Sequence, residues 1–152
     1  MTAASTDYDA HRSEGELQDF EVYESTTIYK NTLVALRTDG YAIPAADTSG
    51  LIVVGVANEK VDNSSGSSGA KRVTVHCKAG EHFVFAYNET PAITNVGEVA
   101  YVVDDKTVGN TSTNGVKVGR IVEVYTGSTS QPAPQPDLAS TEVRVKLDLP
   151  NS

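Results

Sequence analysis

The sequence predicts an all-β fold, a small compact β-barrel or β-sandwich, and three observations carry that prediction. Val, Ile, Thr and Tyr recur in short runs, the signature of residues that fit a pleated, half-buried surface. Gly, Asn, Asp or Pro interrupts these runs roughly every ten residues, which is the spacing of an all-β chain with tight turns. No stretch of about twelve residues carries the apolar periodicity of an amphipathic helix. A chain of 152 residues suffices for one domain with a modest core.

Taken in order, residues 1–19 are polar and acidic, with Tyr8 and Leu17 isolated among them, and bury too little to order themselves. Phe20, Val22 and Tyr23 form a short mixed run suited to an edge strand. Lys30-Asn31 signals a turn, 33–36 a strand, Asp39-Gly40 a hairpin, and 41–43 its return, which Pro44 ends because proline cannot donate to a ladder. Residues 51–57 are apolar at nearly every position, as in a strand buried on both faces, and Gly55 within them predicts a bulge or the close approach of another backbone. Val61 leads into a Ser/Gly-rich loop. Residues 72–77 alternate, with Val73 and Val75 on one side. Residues 82–87 follow, with Phe83 and Phe85 sharing a face. A run at 99–103 stops at Asp104-Asp105, and 116–124 resumes after a polar loop. The segment 126–141 is Pro-rich and extended, without a core of its own. Residues 142–149 alternate without a fault: Val143, Val145, Leu147 and Leu149 on one face, charged residues on the other. The expected total is about nine or ten strands. The expected organisation is a flexible arm over 1–24, then a single β domain over 25–152 that includes the Pro-rich insertion 126–141 and the last strand 142–149.

Charge is uneven. Within residues 1–25, seven acids face one base, Arg12, so this segment carries −6 of the formal −8. An acidic arm argues against nucleic acid as a partner, since phosphates would repel it. One cysteine, Cys77, excludes an internal disulfide framework and reads as a small buried side chain in a reducing compartment. The first residues show no apolar core of a secretory signal, and no run has the length of a membrane span, so the expectation is a soluble protein made in a cytoplasm.

Catalytic and metal chemistry find little footing. His76 and Cys77 are adjacent in a strand and point to opposite faces, His82 lies five residues on, His11 sits in the arm, and no fourth ligand is evident. Asp104 and Asp105 read as turn residues that end the strand before them. Gly66 and Gly69 lack the Gly-Lys-Ser/Thr sequence of a phosphate loop. The expectation is a protein that is not an enzyme, with no cofactor and no metal.

One ordered series of residues is more specific. It runs through Tyr29-Lys30-Asn31-Thr32-Leu33-Val34-Ala35-Leu36, Asp39-Gly40, Gly55-Val56-Ala57, Asp62-Asn63-Ser64, Tyr101-Val102-Val103-Asp104-Asp105, Thr107-Val108 and Val118-Gly119-Arg120-Ile121-Val122. This skeleton resembles the capsid cement, or head decoration, family of tailed bacteriophages, over about residues 25–125. Asn31 stands where that family has glycine, a change that a tight turn accepts because both tolerate positive φ. The Pro-rich segment before the last strand departs from the family pattern. The resemblance implies a compact, β-tulip-like domain, trimeric, that binds the outer surface of an expanded head and fastens neighbouring major capsid proteins. It implies a virion protein made in the bacterial cytoplasm, with no nucleic-acid or membrane partner. Phe20, Val22 and Tyr23 are then expected to pair with the capsid or a neighbouring subunit, and Val143, Val145 and Leu147 to lie in the core or a subunit interface. The alternatives are a β domain of a tail, fibre or baseplate and, with no Trp and three Phe to form a cleft, a small-ligand or glycan-binding module.

Overall fold

A computed structural model describes residues 15–125 and 138–148. Among them are twelve strands and a single 3₁₀ turn at Ile93–Asn95, so the all-β reading holds. The strands are β1 (Leu17–Glu21), β2 (Thr26–Ile28), β3 (Leu33–Leu36), β4 (Ala42–Pro44), β5 (Ile52–Ala57), β6 (Val61–Asn63), β7 (Arg72–His76), β8 (His82–Tyr87), β9 (Val99–Val102), β10 (Thr107–Gly109), β11 (Lys117–Val124) and β12 (Glu142–Leu147).

The chain builds two units of sheet. The second half forms a closed five-stranded barrel in the order β10-β8-β12-β11-β9. The first half forms a five-stranded sheet in the order β1-β7-β5-β3-β4, with the short ribbon β2-β6 beside it. That sheet nearly closes on itself. Val22, just past β1, forms a parallel bridge with Ala42 of β4, and the Tyr23 N–H donates to the Ala42 carbonyl at 3.0 Å.

Period-two alternation sorts the side chains into two cores. Val34, Ala57, Val73 and Val75 join Val22, Ile28, Ala42 and Val61 in one apolar cluster. Leu33, Ala35, Val53 and Val56 point the other way and merge with the barrel interior: Phe85, Tyr87, Val102, Val108, Val118, Ile121, Val143, Val145 and Leu147. Strand β3 thus serves both cores from alternate residues. Polar contacts also join the halves. The Leu33 N–H donates to the Asp105 carbonyl at 2.7 Å. Asp47, before β5, accepts from the Ser112 hydroxyl at 2.8 Å and from the Thr113 and Asn114 amides at 2.9 and 3.0 Å.

Two glycines let strands cross closely. Gly55 has φ +145°, and a Cβ there would lie 1.9 Å from the His76 carbonyl oxygen. The ladder shifts register beside it, between Val34 and Ala35, so the bulge and the close approach expected at Gly55 occur together. At Gly119, a Cβ would lie 2.0 Å from the Lys146 carbonyl oxygen, again beside a register shift. The Asp39-Gly40 hairpin joins β3 to β4, and Asn31 adopts φ +63°, the conformation a glycine would supply.

Several expectations need correction. The arm does not extend to residue 24, because β1 pairs with β7 from Leu17↔His76 to Glu21↔Arg72. The fold therefore includes residues that the charge pattern had assigned to the arm; residues 1–14 lie outside the described region, as do 126–137 and Leu149. Cys77 is only partly buried: its thiol donates to the Gly15 carbonyl at 3.2 Å. Ile52 is half exposed, so 51–57 is not covered on both faces throughout. Three strands of three residues each, β2, β6 and β10, escaped the sequence reading as strands, because so short a run shows no period.

Candidate interaction surfaces

The first candidate surface is β1, at the start of the described residues. Hydrogen bonds from Cys77 N to Glu16 O (3.1 Å) and from Val22 N to Lys71 O (2.9 Å) fix the phase of the β1–β7 ladder. In an antiparallel pair the bonded positions alternate, so Gln18 and Phe20 face β7 with their backbone groups. Leu17, Asp19 and Glu21 turn their N–H and C=O outward along the sheet edge. Their side chains share the exposed face, where Asp19 accepts from the Thr74 hydroxyl at 2.8 Å and Glu21 pairs with Arg72 at 3.2 Å. At the start of the strand, the Lys78 ammonium donates to Glu16, which holds the Glu16 carboxyl below its usual range.

Phe20, Val22 and Tyr23 do not form one exposed patch. Val22 has no exposed surface and belongs to the core of its own chain, so it offers nothing to a partner in this conformation. Phe20 is half-buried against that same core. Tyr23 is half-buried beneath the Arg37 guanidinium, which stands 3.8 Å from its ring centre, with the Tyr41 ring 6.2 Å away. Asp39 fixes that guanidinium through a 3.0 Å ion pair, which raises the Arg37 pKa and lowers that of Asp39. On the last strand, Val143, Val145 and Leu147 all point into the barrel and are fully buried.

Asn63 is a structural anchor that the sequence reading missed. It is 1 % exposed, the sole buried polar residue among those described. Its amide Nδ2 donates toward the carbonyls of Val22 (3.3 Å), Tyr23 (3.0 Å) and Ser67 (3.0 Å). One side chain thereby ties the β1–β2 link to the Ser/Gly-rich loop. The signal was the Asp-Asn-Ser turn itself, since Asn side chains bond nearby backbone readily, although those contacts with Val22 and Tyr23 span about forty residues. Asp62 beside it accepts from Thr27 Oγ1 and the Ser64 amide, and hydrogen bonding from Ser64 and Thr27 holds its carboxyl at about 2.

The groups weighed for chemistry lie apart or serve the backbone. His76 meets Asn58 at 2.9 Å and Glu81 at 4.0 Å on one face of β7, with Cys77 turned to Gly15. Burial pushes the Cys77 thiol pKa up, away from a reactive thiolate. Asp104 accepts from the Lys106 amide at 2.9 Å within the β9–β10 turn. Burial, with Asp104 adjacent, raises the Asp105 pKa. Among the described residues no group of His, Cys, Asp and Glu is placed to hold a metal ion, and no helix is long and apolar enough to cross a membrane. No protein-family model, curated protein or solved structure matches this chain.

Proposed function

We propose that this protein is a head decoration protein: it binds the outside of an expanded phage head as a homo-oligomer, a trimer by its resemblance, and fastens neighbouring major capsid proteins. The observation that carries the reading is the edge of β1, where the outward backbone groups of Leu17, Asp19 and Glu21 stand in line and meet no further strand among the described residues. Such an edge accepts a strand from a partner, and main-chain hydrogen bonds then give affinity without a deep pocket. The ordered series of residues between 29 and 122 supports the same reading by resemblance. Its turns recur here as working parts: Asn31 at positive φ, Asn63 as an anchor, Asp104-Asp105 as a turn. Cyclic symmetry would repeat a modest contact and so raise avidity. A protein that binds only the expanded lattice holds the shell in that state by linkage. The test is to mix the purified protein with expanded, undecorated heads and image them by electron cryomicroscopy. Added density at local three-fold or quasi-three-fold positions is the expected result. Bare heads, or density on tails alone, would refute the proposal.

A further inference from the structure

On the outer face of the barrel, a histidine, a lysine and an arginine stand side by side across adjacent strands. His82 of β8 is opposite Lys146 of β12, and Lys146 is opposite Arg120 of β11. All three are exposed. The neighbouring row is charge-matched: Arg144 of β12 faces Glu123 of β11 and bonds it at 2.8 Å. The row of Arg120 and Lys146 is not. Neither takes part in an ion pair among the described residues, and the Arg120 guanidinium reaches only the Gly97 carbonyl, at 2.6 Å.

Like charges directly opposite across a ladder destabilise a sheet. This pair therefore works against the fold, in a chain of net charge −8. Beside it lies an open groove of about 410 Å³, lined by Ala79, Gly80, Arg120, Lys146, Leu147 and Asp148. Its wall is the β7–β8 turn, pinned by the bond from Gly80 N to Leu147 O at 2.9 Å. The groove thus has a fixed backbone wall, two cations on one side and one acid at its rim.

We infer that this groove is a docking site for an acidic, extended segment of a partner protein, which seats a carboxylate between Arg120 and Lys146. Charge complementarity selects that occupant. A guanidinium and an ammonium match the oxygens of one Asp or Glu side chain, and each bond to it is charge-assisted. Asp148 and the negative charge of the whole protein disfavour a long polyanion such as nucleic acid. The inference does not depend on the decoration proposal, and its test needs no phage head.

The test uses the full chain, ¹⁵N-labelled, titrated with a capped hexapeptide that alternates glutamate and glycine. The expected result is salt-sensitive amide shifts centred on Gly80, Arg120 and Lys146, with millimolar affinity that falls about tenfold in the R120A/K146A variant. The glutamine version of the peptide should produce no such shifts. Because the variant removes a like-charge pair, its melting temperature should stay level or rise. Shifts centred elsewhere, equal binding of the glutamine peptide, or affinity unchanged in the variant would overturn the inference. So would tighter binding of a single-stranded oligonucleotide or of inorganic phosphate. A variant that melts several degrees lower would overturn it too, by showing that the row serves the fold.

Discussion

Strands β1 and β12 bring the two ends of the described chain into the fold, and they do so in opposite ways. Strand β12 enters the middle of a closed barrel, between β11 and β8, and sends Val143, Val145 and Leu147 into its interior. Strand β1 takes an edge position, pairs with β7 alone among the described residues, and leaves Leu17, Gln18 and Asp19 exposed. Within the strand Phe20 packs half-buried against the core; only beyond it, at Val22, is a side chain fully buried, and there the chain bridges to the far edge of the same sheet. A central strand is held by two ladders and a buried face. An edge strand is held by one ladder and an anchor at its end. The difference shows why one terminal strand was plain in the sequence and the other was read as part of an arm.

The largest effect should come from separating arm from strand. Deleting residues 1–24 removes β1, Val22 and two of the three carbonyls that Asn63 bonds, and should abolish cooperative unfolding; deleting 1–14 should leave the melting temperature within a few degrees of the full chain. Circular dichroism melts distinguish the two, and equal behaviour would erase the difference between β1 and the residues before it. Val145→Asp buries an unpaired carboxylate in the barrel and should cost about 4 kcal/mol in a denaturant titration. Asp19→Val, on the exposed face of β1, should change stability by only about 0.5 kcal/mol.

Gly119→Ala presses a methyl group onto the Lys146 carbonyl and should cost about 3 kcal/mol. Asn63→Ala removes the donor that holds the Val22–Tyr23 link and should cost about 2 kcal/mol, measured by urea unfolding. It should also speed amide exchange in β1 more than in β12.

A further effect is one of pH. The Asp62 carboxyl sits at about 2 in the folded chain, below its ordinary value of 3.8. Its hydrogen bonds therefore add stability that is fully present above about pH 4 and is lost as the pH falls toward 2. Asp47, Asp39 and Glu16 are shifted in the same direction. Asp105, whose pKa is raised, acts in the opposite sense. Asp62→Asn should flatten part of the acid limb in melts between pH 4 and pH 2, and an unchanged limb would remove Asp62 from this role.

The fold class was legible because period-two alternation is a local property: β12, β7 and β8 show it within a few residues. Gly55 was legible for the same reason, since a glycine inside an apolar strand points to a close approach wherever the partner lies. The partners of Asn63 and Asp47 were not legible. Their bonds reach residues about forty and sixty-five positions away, and no local pattern encodes such a partner. The row of His82, Lys146 and Arg120 exists only once three strands are in register. Strand β1 was legible only at its end, in the run of Phe20, Val22 and Tyr23: its first residues do not alternate, because Leu17 shares the exposed face with Asp19 and Glu21 and Gln18 shares that of Phe20, so they merged with the acidic residues before them.

Native-state hydrogen exchange on the full chain tests the place of β1 most directly. If β1 is an integral edge strand, the amides of Gln18 and Phe20, which face β7, should exchange roughly a hundredfold more slowly than those of Leu17, Asp19 and Glu21, which face outward. Gln18 and Phe20 exchanging as fast as their outward neighbours, while Val143 and Val145 stay protected, would contradict it and return residues 17–24 to the arm.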